Sequence, residues 1–80
     1  MEGAGVLTDI SYSGARLESS SLTPELGTKV RLYVFVQPVS PFELVGEVVR
    51  TSPGGFAIAY QIESPDVRRL VDDVAALVGA

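Results

Sequence analysis

The sequence has no cysteine and no histidine, and Lys29 is its single lysine. No disulfide staples the fold, and the usual zinc ligands are missing. Serine, cysteine and zinc hydrolase schemes all need an imidazole, a thiolate or a metal, so they are excluded, and carboxylates remain as the acids and bases. No enzyme is expected. Basic residues are few: six Lys and Arg stand against ten Asp and Glu, a net charge of −4. That balance argues against general binding to nucleic acid or an anionic membrane surface, while leaving room for a local basic pocket. No apolar run approaches the roughly 18 residues of a membrane span, and MEGAG does not resemble a signal peptide. Membrane insertion is therefore not expected, and the cytoplasm is the expected location.

What is present is an apolar, β-rich chain. Its 80 residues suit a single domain spanning 1–80, which buries only about 60–65% of its unfolded surface and so relies on one thin core. Apolar residues make up 46% of the sequence and mean hydropathy is +0.31. Without a membrane span, that excess points to strands covered on both faces or to a partner surface.

Strand patterning fills residues 5–62. Gly5 to Ile10 and Ala15 to Glu18 flank Ser11-Tyr12-Ser13-Gly14, a hairpin in which Gly14 would supply a positive φ and Asp9 and Ser11 would bond nearby amides. Ser19 to Thr28 reads as a loop with Leu22 and Leu26 tucked inward. From Lys29 to Val36, Val30, Leu32, Val34 and Val36 alternate with Arg31, Tyr33 and Phe35. Pro38 and Pro41 break this strand. The next runs from Phe42 to Thr51, with Leu44, Gly46, Val48 and Arg50 on one face and Gly46 marking a bend or bulge. Ser52-Pro53-Gly54-Gly55 turns the chain into Phe56 to Ile62, where Phe56, Ile58, Tyr60 and Ile62 share a face.

The period changes at Ser64-Pro65, an N-cap followed by a first-turn proline. Val67, Leu70, Val71, Val74, Leu77 and Val78 follow at helical spacing, so a helix is expected over about 65–78, closed by Gly79. The expected fold is mainly β: a small antiparallel barrel of about five strands with a C-terminal α-helix.

Asp9-Ile10-Ser11-Tyr12-Ser13-Gly14, followed by Ala15-Arg16-Leu17, has the spacing D-x-S-x-x-G between two short strands. This resembles a signature of PilZ domains, the bacterial cyclic di-GMP receptor modules. Leu26-Gly27-Thr28-Lys29-Val30-Arg31-Leu32 is similar to the family's glycine-then-strand segment, and Gly46-Glu47-Val48-Val49-Arg50 to its central strand. The resemblance covers about residues 5–62. It implies a role in cyclic di-GMP signalling, with Asp9, Ser11 and Gly14 lining the nucleotide. The bland reading of the same residues is that they hold the turn.

PilZ receptors also carry an R-x-x-x-R motif before their first strand. The stretch MEGAGVLT ahead of Asp9 has no basic residue, so the arginines and the first family strand are expected to be missing here. A dianionic dinucleotide needs planar cations. Arg16, Arg31 and Arg50 are the replacements at hand; they fall one per strand, unclustered, and Arg16, nearest the motif, is the candidate ligand contact. A missing strand leaves an open edge, for which a protein partner or self-association is expected. Tyr12, Tyr33 and Phe35 are placed either in the core and barrel rim or at that interface. No cofactor or metal is expected beyond the possible ligand cyclic di-GMP. Two other readings remain: a PilZ-fold adaptor that binds proteins and no nucleotide, and an unrelated five-stranded barrel.

Overall fold

The computed structural model describes residues 4–78. Five antiparallel strands, β1 (Val6–Ile10), β2 (Gly14–Glu18), β3 (Lys29–Val34), β4 (Phe42–Ser52) and β5 (Gly55–Ala59), precede one helix, α1 (Pro65–Val78). They form one sheet in the order β1-β2-β5-β4-β3. The sheet curls into a half-barrel whose two edges, β1 and β3, are not paired with each other. Alternation explains the curl's inner face: Ile10, Ala15, Leu17, Phe42, Leu44, Val48, Phe56, Ile58 and Tyr60 all point into one core. Val71 and Val74 of α1 complete it, the helix packing against β1.

The helix begins as its sequence implies. Ser64 Oγ accepts from the Val67 N–H at 3.4 Å, and Pro65 opens the first turn. Leu77 remains exposed although it shares the apolar spacing, and Gly79, the expected stop, lies outside the described residues.

Strand ends differ from expectation where partners run out. β3 stops at Val34 because its register ends on Phe42, the first residue of β4. β5 stops at Ala59, opposite Gly14, where β2 begins; one more bond, from the Tyr60 N–H to the Ser13 carbonyl at 3.0 Å, reaches into the hairpin turn. Leu26 does not tuck inward. The Thr28 N–H closes a turn onto the Glu25 carbonyl at 3.1 Å with Gly27 at φ 85°, the geometry of a type II turn, and Leu26 stands at its tip, 65% exposed.

Two bulges alter which side chains share a face. One lies between Leu7 and Asp9, where the Thr8 hydroxyl donates to the Arg16 carbonyl at 3.3 Å. The other lies between Val48 and Arg50, so Val49 rather than Gly46 marks the irregularity in β4. A bulge residue breaks the two-residue period. Arg50 is thereby carried off the Val48 face and onto the outer surface of the sheet.

Candidate functional site

The D-x-S-x-x-G segment builds the β1–β2 hairpin. The Ser11 N–H donates to the Gly14 carbonyl at 2.8 Å, and the Ser13 N–H donates to Ser11 Oγ at 3.3 Å. Ser11 thus ties the turn as expected. The Asp9 side chain makes no hydrogen bond among the described residues, and its carboxylate is left exposed beside the turn. The serine holds the loop, and the aspartate is free for something outside it.

Gly14 is required for a different reason than a positive φ, which it does not have. It sits in β2 opposite Ala59, and a Cβ placed there would lie 2.7 Å from the Ile58 carbonyl oxygen. Close approach of β5, not turn geometry, selects glycine here.

A residue outside the motif fixes the turn from below. The Tyr60 hydroxyl donates to the Ser11 carbonyl at 2.6 Å and the Gly14 carbonyl at 2.8 Å. Burial, with the Asp9 carboxylate acting in the same direction, pushes the Tyr60 phenol up to about 12. Tyr60 was legible in the sequence as a core residue; its grip on the hairpin was not, because the two are 46 residues apart or more. From above, Tyr12 joins the hairpin to α1. Its hydroxyl donates to the Asp72 carboxylate, which raises its pKa, and the Arg68 guanidinium lies 4.9 Å from its ring centroid. Tyr12 is therefore not a free interface aromatic.

Strand order then assembles a row across the outer face. Asp9 of β1 is opposite Arg16 of β2, Arg16 is opposite Ala57 of β5, and Ala57 is opposite Arg50 of β4. Partners in a ladder share a face, so Arg16 and Arg50 stand on either side of the small Ala57. With Ser52 they line a shallow hollow of about 60 Å³. The expectation that the arginines are unclustered is corrected for this pair: β5 inserts between β2 and β4, and the Val49 bulge turns Arg50 outward. Arg31 stays apart, held to Glu43 at 3.2 Å on the β3–β4 side. Arg16 approaches Glu18 at 3.6 Å with both side chains largely exposed, an ion pair too weak to immobilise it.

A family model, PilZ domain, matches residues 2–76. The chain belongs to the PilZ domain family. PilZ domains are cyclic di-GMP-binding modules and in general not enzymes, and the five curled strands with their C-terminal helix are consistent with that fold. No curated protein and no solved structure matches the chain. Among the described residues no helix is long and apolar enough to cross a membrane, and no cluster of acidic side chains is arranged to hold a metal ion.

The larger concavity of this PilZ domain is elsewhere. A groove of about 860 Å³ lies on the inner side, between β1 and β3, lined by Leu7, Leu22, Val30, Leu32 and Phe56 among others. It is mainly apolar, with Lys29 and Arg31 also on its lining, and holds none of the motif residues. Asp9, Gly14 and the arginine pair share the opposite, outer face, while the tip of the hairpin reaches α1 through Tyr12.

Proposed function

We propose that this PilZ domain binds cyclic di-GMP on the outer face of its sheet and acts as a cytoplasmic module of bacterial cyclic di-GMP signalling. The observation that carries the reading is the row Asp9, Arg16, Ala57, Arg50 beside the D-x-S-x-x-G turn. A guanine presents N–H donors on one edge, for which the unpartnered Asp9 carboxylate and the Ser11 hydroxyl are acceptors. Gly14 and Ala57 leave the sheet low enough for a planar base to approach. Arg16 and Arg50 supply what a dianionic dinucleotide needs: two guanidinium groups that pair with phosphate or stack on a base. The nucleotide's negative charge opposes the net −4 of the chain, so these two cations carry most of the electrostatic complementarity.

Titration calorimetry with cyclic di-GMP tests this directly. Saturable heat is expected for the native chain, weakened by Arg16→Ala and by Arg50→Ala, with GMP as the control ligand. No heat up to roughly 1 mM nucleotide, a limit of about −4 kcal/mol in binding free energy, rejects the proposal. In that event the reading becomes a PilZ-fold adaptor, favoured by the unpaired sheet edges and by the exposure of Tyr33 and Phe35.

A further inference from the structure

Strand β3 ends the sheet, and an unpaired edge strand presents backbone donors and acceptors to any strand of matching pattern. Natural edges are blunted by proline, by shortness, by an overlying loop or by charged side chains, of which β3 carries Lys29 and Arg31. Here β3 runs over Lys29–Val34 without a proline. The preceding loop directs its backbone bonds elsewhere among the described residues: Gly27 and Thr28 bond to Val48 of β4 and to Glu25. The inward residues Val30 and Leu32 are only half-buried, at the mouth of the apolar groove. On the outer face Tyr33 is 55% exposed and Phe35, just past the strand, is 73% exposed.

We propose that β3 pairs antiparallel with β3 of a second copy, about a twofold axis through Leu32. Pairing within one continuous sheet requires inward residues to meet inward and outward to meet outward, which leaves few registers. Centred on Leu32, Val30 faces Val34 of the second copy, Arg31 faces Tyr33 and Lys29 faces Phe35. Every outward pair then joins a cation to an aromatic ring, and every inward pair is apolar. Moving the axis to Arg31 stacks two guanidinium groups on each other. Moving it to Tyr33 leaves Lys29 against Gln37 and draws in residues beyond the strand. Each cation of β3 has a carboxylate opposite it on its own sheet: Arg31 is paired with Glu43 at 3.2 Å, and Lys29 is register partner to Glu47. Two such edges therefore meet without net repulsion, and the twofold makes the contact self-complementary. The inference does not depend on nucleotide binding.

Analytical ultracentrifugation without nucleotide tests it with two variants of one exposed position. The native chain is expected to sediment as a dimer at high micromolar concentration. Phe35→Lys sets a second cation opposite Lys29 at both ends and gives a monomer; Phe35→Glu sets a carboxylate there and keeps the dimer. Repulsion between whole chains predicts the reverse, because Phe35→Lys lowers the net negative charge and Phe35→Glu raises it. Circular dichroism checks that both variants fold. A native monomer overturns the proposal, as does loss of the dimer in both variants, which marks a generic apolar patch, or its retention in both, which places the interface elsewhere.

Discussion

One part-buried hydroxyl ties the motif hairpin to the end of β5, and Tyr60→Phe removes it. Tyr60 is 8% exposed, and its single proton is shared between the Ser11 and Gly14 carbonyls at 2.6 and 2.8 Å. Gly14 keeps the Ser11 N–H at 2.8 Å, while the Ser11 carbonyl loses its tertiary donor. The substitution therefore deletes about one net hydrogen bond, worth about 1–1.5 kcal/mol. In a domain of 80 residues each kcal/mol moves Tm by about 4–8 °C, so a fall of about 5–10 °C is expected at neutral pH. A second arm uses pH. The Tyr60 phenol is pushed from 10.0 to about 12 by burial, so the folded state holds a proton that the unfolded chain releases. Its contribution is intact below pH 10 and is lost as pH climbs toward 12. The limiting slope is about 1.4 kcal/mol per pH unit; partial solvent access to the hydroxyl end reduces it, leaving about 0.5–1 kcal/mol lost by pH 11. Urea melts of both chains at pH 8 and pH 11 read the two arms together, with the Tyr60→Phe variant as the silent reference that shares every other titrating group. The gap between the native chain and the variant should narrow as pH rises. Equal stabilities at pH 8, or a gap that does not change by pH 11, refute the hydrogen-bond account.

Gly14→Ala should cost about 1–3 kcal/mol in a denaturant melt, because the new Cβ meets the Ile58 carbonyl at 2.7 Å in a sheet that cannot open locally; unchanged stability would mean that β2 and β5 slide apart freely. Val74→Ala, at a site 0% exposed, should cost about 2 kcal/mol through lost burial and a residual cavity, read as a lower urea midpoint with an unchanged slope. Leu26→Ala, at the tip of its turn, should stay within about 0.5 kcal/mol of the native chain in the same melts.

Local chemistry made most of the architecture legible. The Ser64-Pro65 start, the proline break after β3 and the Gly54-Gly55 turn each placed an element within a few residues of where it lies, because each acts through its own backbone. The errors share a different cause. Phe35, Tyr60 and Ile62 have strand-like side chains, yet whether they belong to a strand depends on where β4 begins and β2 starts. Leu26 reads as apolar and therefore inward, but the Gly27 turn overrules it. Gly14 shows the same divide: the glycine was legible, whereas the reason for it, a carbonyl on β5, needed the neighbouring strand.

The arginine pair shows what a sequence pattern cannot carry. Arg16 and Arg50 are distant in the chain and sit on strands that do not touch, and their meeting depends on two facts with no short-range signal. Strand β5 must pass between β2 and β4, so that Ala57 bridges them. Val49 must also bulge, because strict alternation from Val48 would send Arg50 to the core side, where a guanidinium without a partner is too costly to bury. That cost supplies the missing reason for the bulge. Phe42, Leu44 and Val48 set the inward parity of β4, the charged Arg50 cannot obey it, and one extra residue reconciles them. The device that rescues the strand from a buried cation also delivers that cation to the outer face, in line with Asp9 and Arg16. In this PilZ domain a packing conflict within β4 and the assembly of its candidate ligand site are thus one structural event.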